Sequence, residues 1–245
     1  CKEAIGLGFT SVMIDGSLKE DSKTPTTYEE NLEVTMSVIE YARPLGVTVE
    51  AELGTLGGIE DGVGSGQVNL TDPDQAVEFV EKTKVDALAV AIGTSHGAYK
   101  FKDEPKLALD LVQEINRRIP DTALVMHGSS SVPQELVDIV NKYGGNMPNA
   151  KGVPMSAIQS VIPYGVRKVN IDTDGRLAIT GAIRKVFVES PEKFDPRDYL
   201  KPAREALTKL VTQKMRDLGT AGHADEIKDK SLDDMIEFYK QYGLL

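Results

Sequence analysis

Two histidines, His96 and His127, each follow an apolar β-type run and each precede a glycine, in Thr94-Ser-His-Gly97 and Met126-His-Gly-Ser129. Paired imidazoles suit zinc or a similar borderline metal, and a glycine beside each lets backbone approach a bound ligand closely. The chain has only 3 histidines, so two in one context favour a shared metal site over two separate structural roles. His223, in Thr220-Ala-Gly-His223, lacks that context and is not expected to be a ligand. Carboxylates and an amide recur in the same setting. Asp15, Glu52, Asn170 and Asp172 all sit at or just beyond the ends of apolar runs. Glu50 and Glu52 alternate with apolar residues and so share one side of a strand, where an unpaired carboxylate is costly unless it meets a metal, a cation or hydrogen-bond donors.

Anion chemistry has its own candidates. Gly128-Ser-Ser-Ser131 and Asp172-Thr-Asp174 each precede a helical pattern, which brings hydroxyls and exposed amides together at helix starts. Lys100, shortly after His96, adds a cation. The plainer alternative is helix capping by Ser131 or Thr173. The Gly-rich stretch from Gly54 to Leu70 carries Glu60-Asp-Gly62, and its length suits a mobile lid bearing an acid, with a solvated acidic turn as the alternative.

Five short β-rich runs would position these groups: Ser11 to Asp15, Val47 to Leu53, Ala87 to Ile92, Ala123 to Met126 and Val166 to Ile171. Helical patterns alternate with them, which predicts repeated βα units and a parallel sheet whose strand ends converge on one face. Thr27-Tyr-Glu-Glu30, Asp72-Pro-Asp-Gln75 and Ser131-Val-Pro-Gln134 read as capping boxes. The first opens a helix with Leu32, Met36 and Ile39 on one face, closed by Gly46. Residues 144–153, rich in Gly, Pro and Asn, read as a surface excursion. Helices follow over roughly 177–189, 202–218 and 232–242. There is no internal repeat.

At 245 residues and 40% hydrophobic the chain can bury a sizeable core as one domain, 1–245, with barrel units over 1–190 and a helical extension over 191–245. A net charge of -10 argues against nucleic acid or an anionic membrane surface as partner. Cys1 is the only cysteine, which excludes an intrachain disulfide and suits a reducing, cytoplasmic setting. The chain opens on Cys1 inside an amphipathic stretch and is read as truncated at its N-terminus.

Glu50-Ala-Glu-Leu-Gly-Thr-Leu-Gly-Gly-Ile-Glu-Asp-Gly62, Gly93-Thr-Ser-His-Gly-Ala-Tyr-Lys100, Val125-Met-His-Gly-Ser-Ser130 and Lys168-Val-Asn-Ile-Asp-Thr173 together resemble the strand-end motifs of class II, zinc-dependent fructose-1,6-bisphosphate aldolases. The resemblance implies an α/β fold of the TIM (β/α)8 type, of which this chain would carry strands 4 to 8 and the C-terminal helices. It implies reversible cleavage of fructose 1,6-bisphosphate to dihydroxyacetone phosphate and glyceraldehyde 3-phosphate through a zinc-stabilised enediolate. His96 and His127 match metal ligands, and Glu52 matches a carboxylate that meets the metal in an alternative position. Glu60 matches the proton-exchanging base on the mobile loop and Asn170 the amide that contacts the enediolate. Gly97, Lys100, Gly128, Ser130, Asp172 and Thr173 match the phosphate site, with a monovalent cation (Na+ or K+) nearby. Arg197 resembles an arginine that reaches the second phosphate across a homodimer.

The family's first ligand belongs to an Asp-His motif that the chain does not contain, so the segment alone is expected to bind zinc weakly and to be inactive. Tagatose-bisphosphate aldolases share the motifs and remain an alternative, as does an inert fragment. Another metal-dependent barrel, such as an epimerase, fits the residues but not the four motifs.

Overall fold

The computed structural model describes residues 1–21, 23–55, 69–95, 97–98 and 107–245. Five parallel strands form one sheet in chain order: β1 (Ser11–Ile14), β2 (Thr48–Leu53), β3 (Ala87–Val90), β4 (Ala123–Met126) and β5 (Val166–Val169). After α1 (Lys2–Gly6), the helices α2 (Tyr28–Ala42), α3 (Pro73–Thr83), α4 (Leu109–Arg118), α5 (Gln134–Lys142) and α6 (Met155–Val161) fall in the crossovers. Then come α7 (Thr173–Glu189), α8 (Pro196–Asp217) and α9 (Leu232–Gln241). The sheet does not close into a barrel among the described residues.

Alternation divides each strand between two environments. Val49, Ala51 and Leu53 of β2, Leu88 and Val90 of β3, and Leu124 and Met126 of β4 enter the apolar core with Ile39, Phe79, Val112 and Ile115 from the helices. Glu50 and Glu52 take the opposite face, and the register sets them beside Ala87 and Ala89. Those alanines leave the middle of that face low, so a side chain of β2 can cross β3. Between β4 and β5 the register shifts at Leu124/Val125, pairing Val125 with Lys168. The irregularity moves β5 by one residue, which turns Lys168 and then Asn170 to the face of Glu50.

Two helices start where expected, the first with a full capping box and the second with an Asp72 cap that Gln75 does not reciprocate. Thr27 and Glu30 form a reciprocal capping box, and Asp72 accepts from the amides of Asp74 and Gln75 with Pro73 in the first turn. α2 ends through a 3-10 turn at Gly46, whose φ is +74°. Its buried face, however, runs through Asn31, Thr35, Ile39 and Ala42. Asn31 donates from Nδ2 to the carbonyl of Glu52 at 2.8 Å, so a buried polar residue fixes α2 against the end of β2.

Three expectations need correction. α5 is capped by Pro133 with no side-chain bond, because the Ser131 hydroxyl is engaged by Asp174 and Lys214 instead. The excursion at 144–153 is superficial only in part: Ala150, Gly152 and Val153 are buried, and the Val153 amide donates to the Ser130 carbonyl at 3.0 Å. α8 begins at Pro196 under an Asp195 cap and carries Pro202 inside it, where a ring without N–H forfeits one helical bond.

The N-terminal edge of the sheet is closed by α9. Tyr239 is fully buried, and its hydroxyl donates to Asp86 Oδ1 at 2.9 Å while Asp86 Oδ2 accepts from the Val49 amide at 2.8 Å. The guanidinium of Arg43 lies over the Tyr239 ring. The opposite, C-terminal edge gathers the polar groups.

Candidate active site at the C-terminal strand ends

His127 follows β4 directly and is buried. Glu50 Oε1 lies 2.7 Å from His127 Nε2, and Glu50 Oε2 accepts from Lys168 Nζ at 2.7 Å. Burial alone would raise the pKa of Glu50, but hydrogen bonds from His127 and Lys168, with the charge of Lys168, hold it below the ordinary glutamate value. Glu50 therefore stays a carboxylate. A carboxylate against Nε2 places the imidazole proton there and leaves the Nδ1 lone pair open. Asn170, one residue past β5, approaches the same ring, with Nδ2 at 3.4 Å from Nδ1 and 3.3 Å from Nε2.

Glu52 shares that face and is also buried. Desolvation first, then the charges of Asp15 and Glu50, raise its pKa well above the ordinary glutamate value. Asp15 is held by its own turn, accepting from the Ser17 amide and hydroxyl. Asp15, Glu50 and Glu52 thus bring like charges near one another at the ends of β1 and β2, and burial makes that proximity costly to Glu52. Thr94, two positions before His96, is fully buried, and its hydroxyl has no hydrogen-bond partner among the described residues.

The stems of the long loop after β2 are fastened to each other. Thr55 and Asn69 exchange backbone bonds at 3.0 Å, and the Thr71 hydroxyl bridges Leu53 and Ala91. Glu60, carried on that loop, lies outside the described residues, as do His96 and Lys100.

The segment from Gly128 to Val132 forms a second feature. Gly128 has φ +61°, and a Cβ there would stand 2.7 Å from the Ser95 carbonyl oxygen, so only glycine fits between the ends of β3 and β4. The Ser129 amide donates to the Asn170 carbonyl at 3.2 Å. Ser130 Oγ accepts from the amides of Asp172 and Thr173 at 3.1 and 3.0 Å. Ser130 thus closes the first turn of α7 from a neighbouring loop, and neither Ser131 nor Thr173 serves as the expected cap. Asp172 itself pairs with Arg176 at 2.7 Å. Gly97 adjoins this region, since the Ala98 carbonyl accepts from the Lys151 amide at 2.9 Å. Arg197 lies at the start of α8, exposed and paired with Asp195.

Of the residues singled out by sequence, the structure brings His127, Asn170 and the Gly128-Ser130 turn together with Asp172 and Thr173. Glu52 joins them on the same face. Among the described residues no group of three His, Cys, Asp or Glu is assembled as a metal site. Glu50 and Lys168 are further members. The alternation Glu50-Ala-Glu52 signalled the first, but Lys168 needed the register shift, which has no sequence mark.

The family model for class-II fructose-bisphosphate aldolase matches residues 1–223. The chain belongs to the class-II fructose-bisphosphate aldolase family. Its members are metal-dependent lyases, and the chain is an aldolase of that class. It is 55% identical over 241 residues to the fructose-bisphosphate aldolase of Giardia intestinalis, covering 98% of this chain and 72% of that one. It is 52% identical over 254 residues to that of Nostoc commune, covering 98% and 71%. Among solved structures, the YdjI aldolase of Escherichia coli K12 matches with a TM-score of 0.66 and 29% identity, over 91% of this chain and 66% of that one. The five-stranded parallel sheet matches part of that aldolase's α/β fold, and it does not close into a barrel among the described residues. No helix among the described residues is long and apolar enough to cross a membrane.

Proposed function

We propose that the protein carrying this chain cleaves fructose 1,6-bisphosphate reversibly into dihydroxyacetone phosphate and glyceraldehyde 3-phosphate at the C-terminal ends of its strands, with zinc as the metal. The observation that carries this reading is the convergence of Glu50, His127, Lys168 and Asn170 from three strands. His96 and His127 would hold the metal, with Glu52 as the carboxylate of an alternative position. Bound zinc would supply a Lewis acid for the ketose carbonyl.

The chain's own groups do the rest. Glu50 fixes the tautomer of His127, and Lys168 keeps Glu50 ionised. Asn170 donates from its amide to the oxygen on which negative charge gathers as the carbon-carbon bond breaks. Glu60 exchanges the proton at the carbon beside the carbonyl. Gly97, Lys100, Gly128, Ser130, Asp172 and Thr173 hold the phosphate of the dihydroxyacetone end, with a monovalent cation beside it. Phosphate contacts remote from the breaking bond orient the substrate. Because the Asp172 and Thr173 amides are satisfied by Ser130 Oγ, an arriving phosphate must share or displace that hydroxyl. Arg197 would reach the other phosphate from the second subunit of a homodimer, in a cytoplasmic enzyme whose partners are small sugar phosphates.

A coupled assay comparing fructose and tagatose 1,6-bisphosphates, with and without chelator, tests the reading. Zinc-dependent turnover of the fructose sugar is expected to exceed that of its epimer. Preference for tagatose 1,6-bisphosphate, or turnover that survives metal removal, would overturn it.

A further inference from the structure

Lys214 lies near the C-terminal end of α8, 83 residues from Ser131 in sequence. Its ammonium stands 2.6 Å from Ser131 Oγ and 2.8 Å from Asp174 Oδ2. Asp174 is fully buried, and its carboxylate is saturated. Oδ2 also accepts from the Ser131 amide and hydroxyl at 3.1 and 2.9 Å, and Oδ1 accepts from the Val132 amide at 2.7 Å. Val132 has φ +48°, a left-handed conformation that a β-branched residue adopts only when its surroundings impose it. The imposing group is Asp174. Facing this deep carboxylate is the ammonium of Lys214, itself nearly buried.

The turn from Gly128 to Val132 is therefore held from two sides. On one side Ser130 Oγ joins the Asp172 and Thr173 amides; on the other, Asp174 and Lys214 grip Ser131 and Val132. Asp174 follows Thr173 in the first turn of α7, so the carboxylate that shapes the loop and the amides that face it move as one unit. We propose that Lys214 is a positioning residue for the phosphate-binding turn, holding Ser130 and the α7 amides in register through Asp174. The proposal rests on the reading that this turn holds the substrate phosphate. A neutral side chain at 214 removes the ion pair that holds Asp174 Oδ2, so the carboxylate turns away and the Val132 conformation relaxes. A cleft of about 850 Å3 opens beside Lys214 and Ser131, which gives an arginine room to replace the lysine.

The test compares the wild-type protein with Lys214→Met and Lys214→Arg by three readouts: amide hydrogen exchange at Ser131 and Val132, direct binding of inorganic phosphate, and steady-state kinetics on fructose 1,6-bisphosphate. In Lys214→Met, exchange at both amides is expected to quicken about tenfold, phosphate binding to weaken about tenfold, and KM to rise about tenfold while kcat stays within about twofold. Lys214→Arg is expected to restore all three to within about twofold. Unchanged exchange in Lys214→Met overturns the clamp whatever the protein binds. A fall in kcat and thermal stability with KM unmoved, and no rescue by arginine, reduces Lys214 to an anchor of α8 and overturns the proposal. A wild-type protein that binds no phosphate overturns the functional reading and the proposal with it, while quickened exchange in Lys214→Met would still show the clamp itself.

Discussion

Glu50 and His127 are 77 residues apart in sequence and separated by a whole strand, yet Oε1 of one meets Nε2 of the other at 2.7 Å. The contact exists because β3 presents Ala87 and Ala89 on that face, and because Lys168 on the far side holds the second carboxylate oxygen. It gives His127 one defined tautomer and one defined orientation.

Replacing Glu50 by Gln keeps the size and removes the acceptor charge. Metal affinity is expected to fall about 10- to 100-fold, as for other carboxylates behind metal-binding histidines. Competition with a chelator measures it, and an affinity equal to wild type would show that the Glu50–His127 contact does not support metal binding.

Asn170→Ala should leave the fold intact and slow turnover. Loss of one donor to a developing oxyanion costs about 100- to 1000-fold in kcat, against a smaller change in KM. Circular dichroism with steady-state kinetics separates this from misfolding; a variant that turns over at the wild-type rate would remove Asn170 from the chemistry.

Gly152 tests the contact between the 144–153 excursion and the phosphate turn. A Cβ there would lie 2.3 Å from the Ser130 carbonyl oxygen, so backbone must shift. Gly152→Ala is expected to destabilise by about 1–3 kcal/mol, the range for overpacking, and to raise KM for the bisphosphate. Urea unfolding and kinetics on one preparation read both.

At the other edge of the sheet, burial first, then the charge of Asp86 and its hydrogen bond, push the phenol of Tyr239 far above its ordinary value of 10.0. In the unfolded chain that phenol ionises near 10, while in the folded chain it cannot. Its contribution is therefore fully present below pH 10 and drains away as pH climbs past it. Tyr239→Phe should cost about 1–3 kcal/mol at neutral pH by leaving Asp86 Oδ1 without its donor, yet lose less than wild type between neutral and strongly alkaline pH. Parallel denaturant titrations at the two pH values decide it, and identical alkaline slopes would contradict the account.

Much of this fold was legible because its local signals agree with its packing. Val49, Ala51 and Leu53 alternate with Glu50 and Glu52, and Thr27 with Glu30 carries a helix start in four residues. The five strands could be placed to within a few residues for that reason. The Ser131 cap failed because a distant residue, Lys214, competes for the hydroxyl, and sequence spacing carries no trace of a contact 83 residues away. The start of α8 was missed because Pro202 looked like a boundary, whereas the Asp195-Pro196 pair was the true one. Lys168 could not be placed on the Glu50 face without the register shift between β4 and β5. Nothing local in the sequence marks Asn31 as the carboxamide that binds the Glu52 carbonyl at the end of β2.

The central claim is that the strand-end cluster grips a metal through His127. Anomalous scattering from zinc-loaded crystals measures this directly. The account predicts a single strong peak about 2.0–2.1 Å from a ring nitrogen of His127, shared with His96 and beside Glu52. A peak elsewhere on the protein, or none at full zinc occupancy in solution, would contradict it.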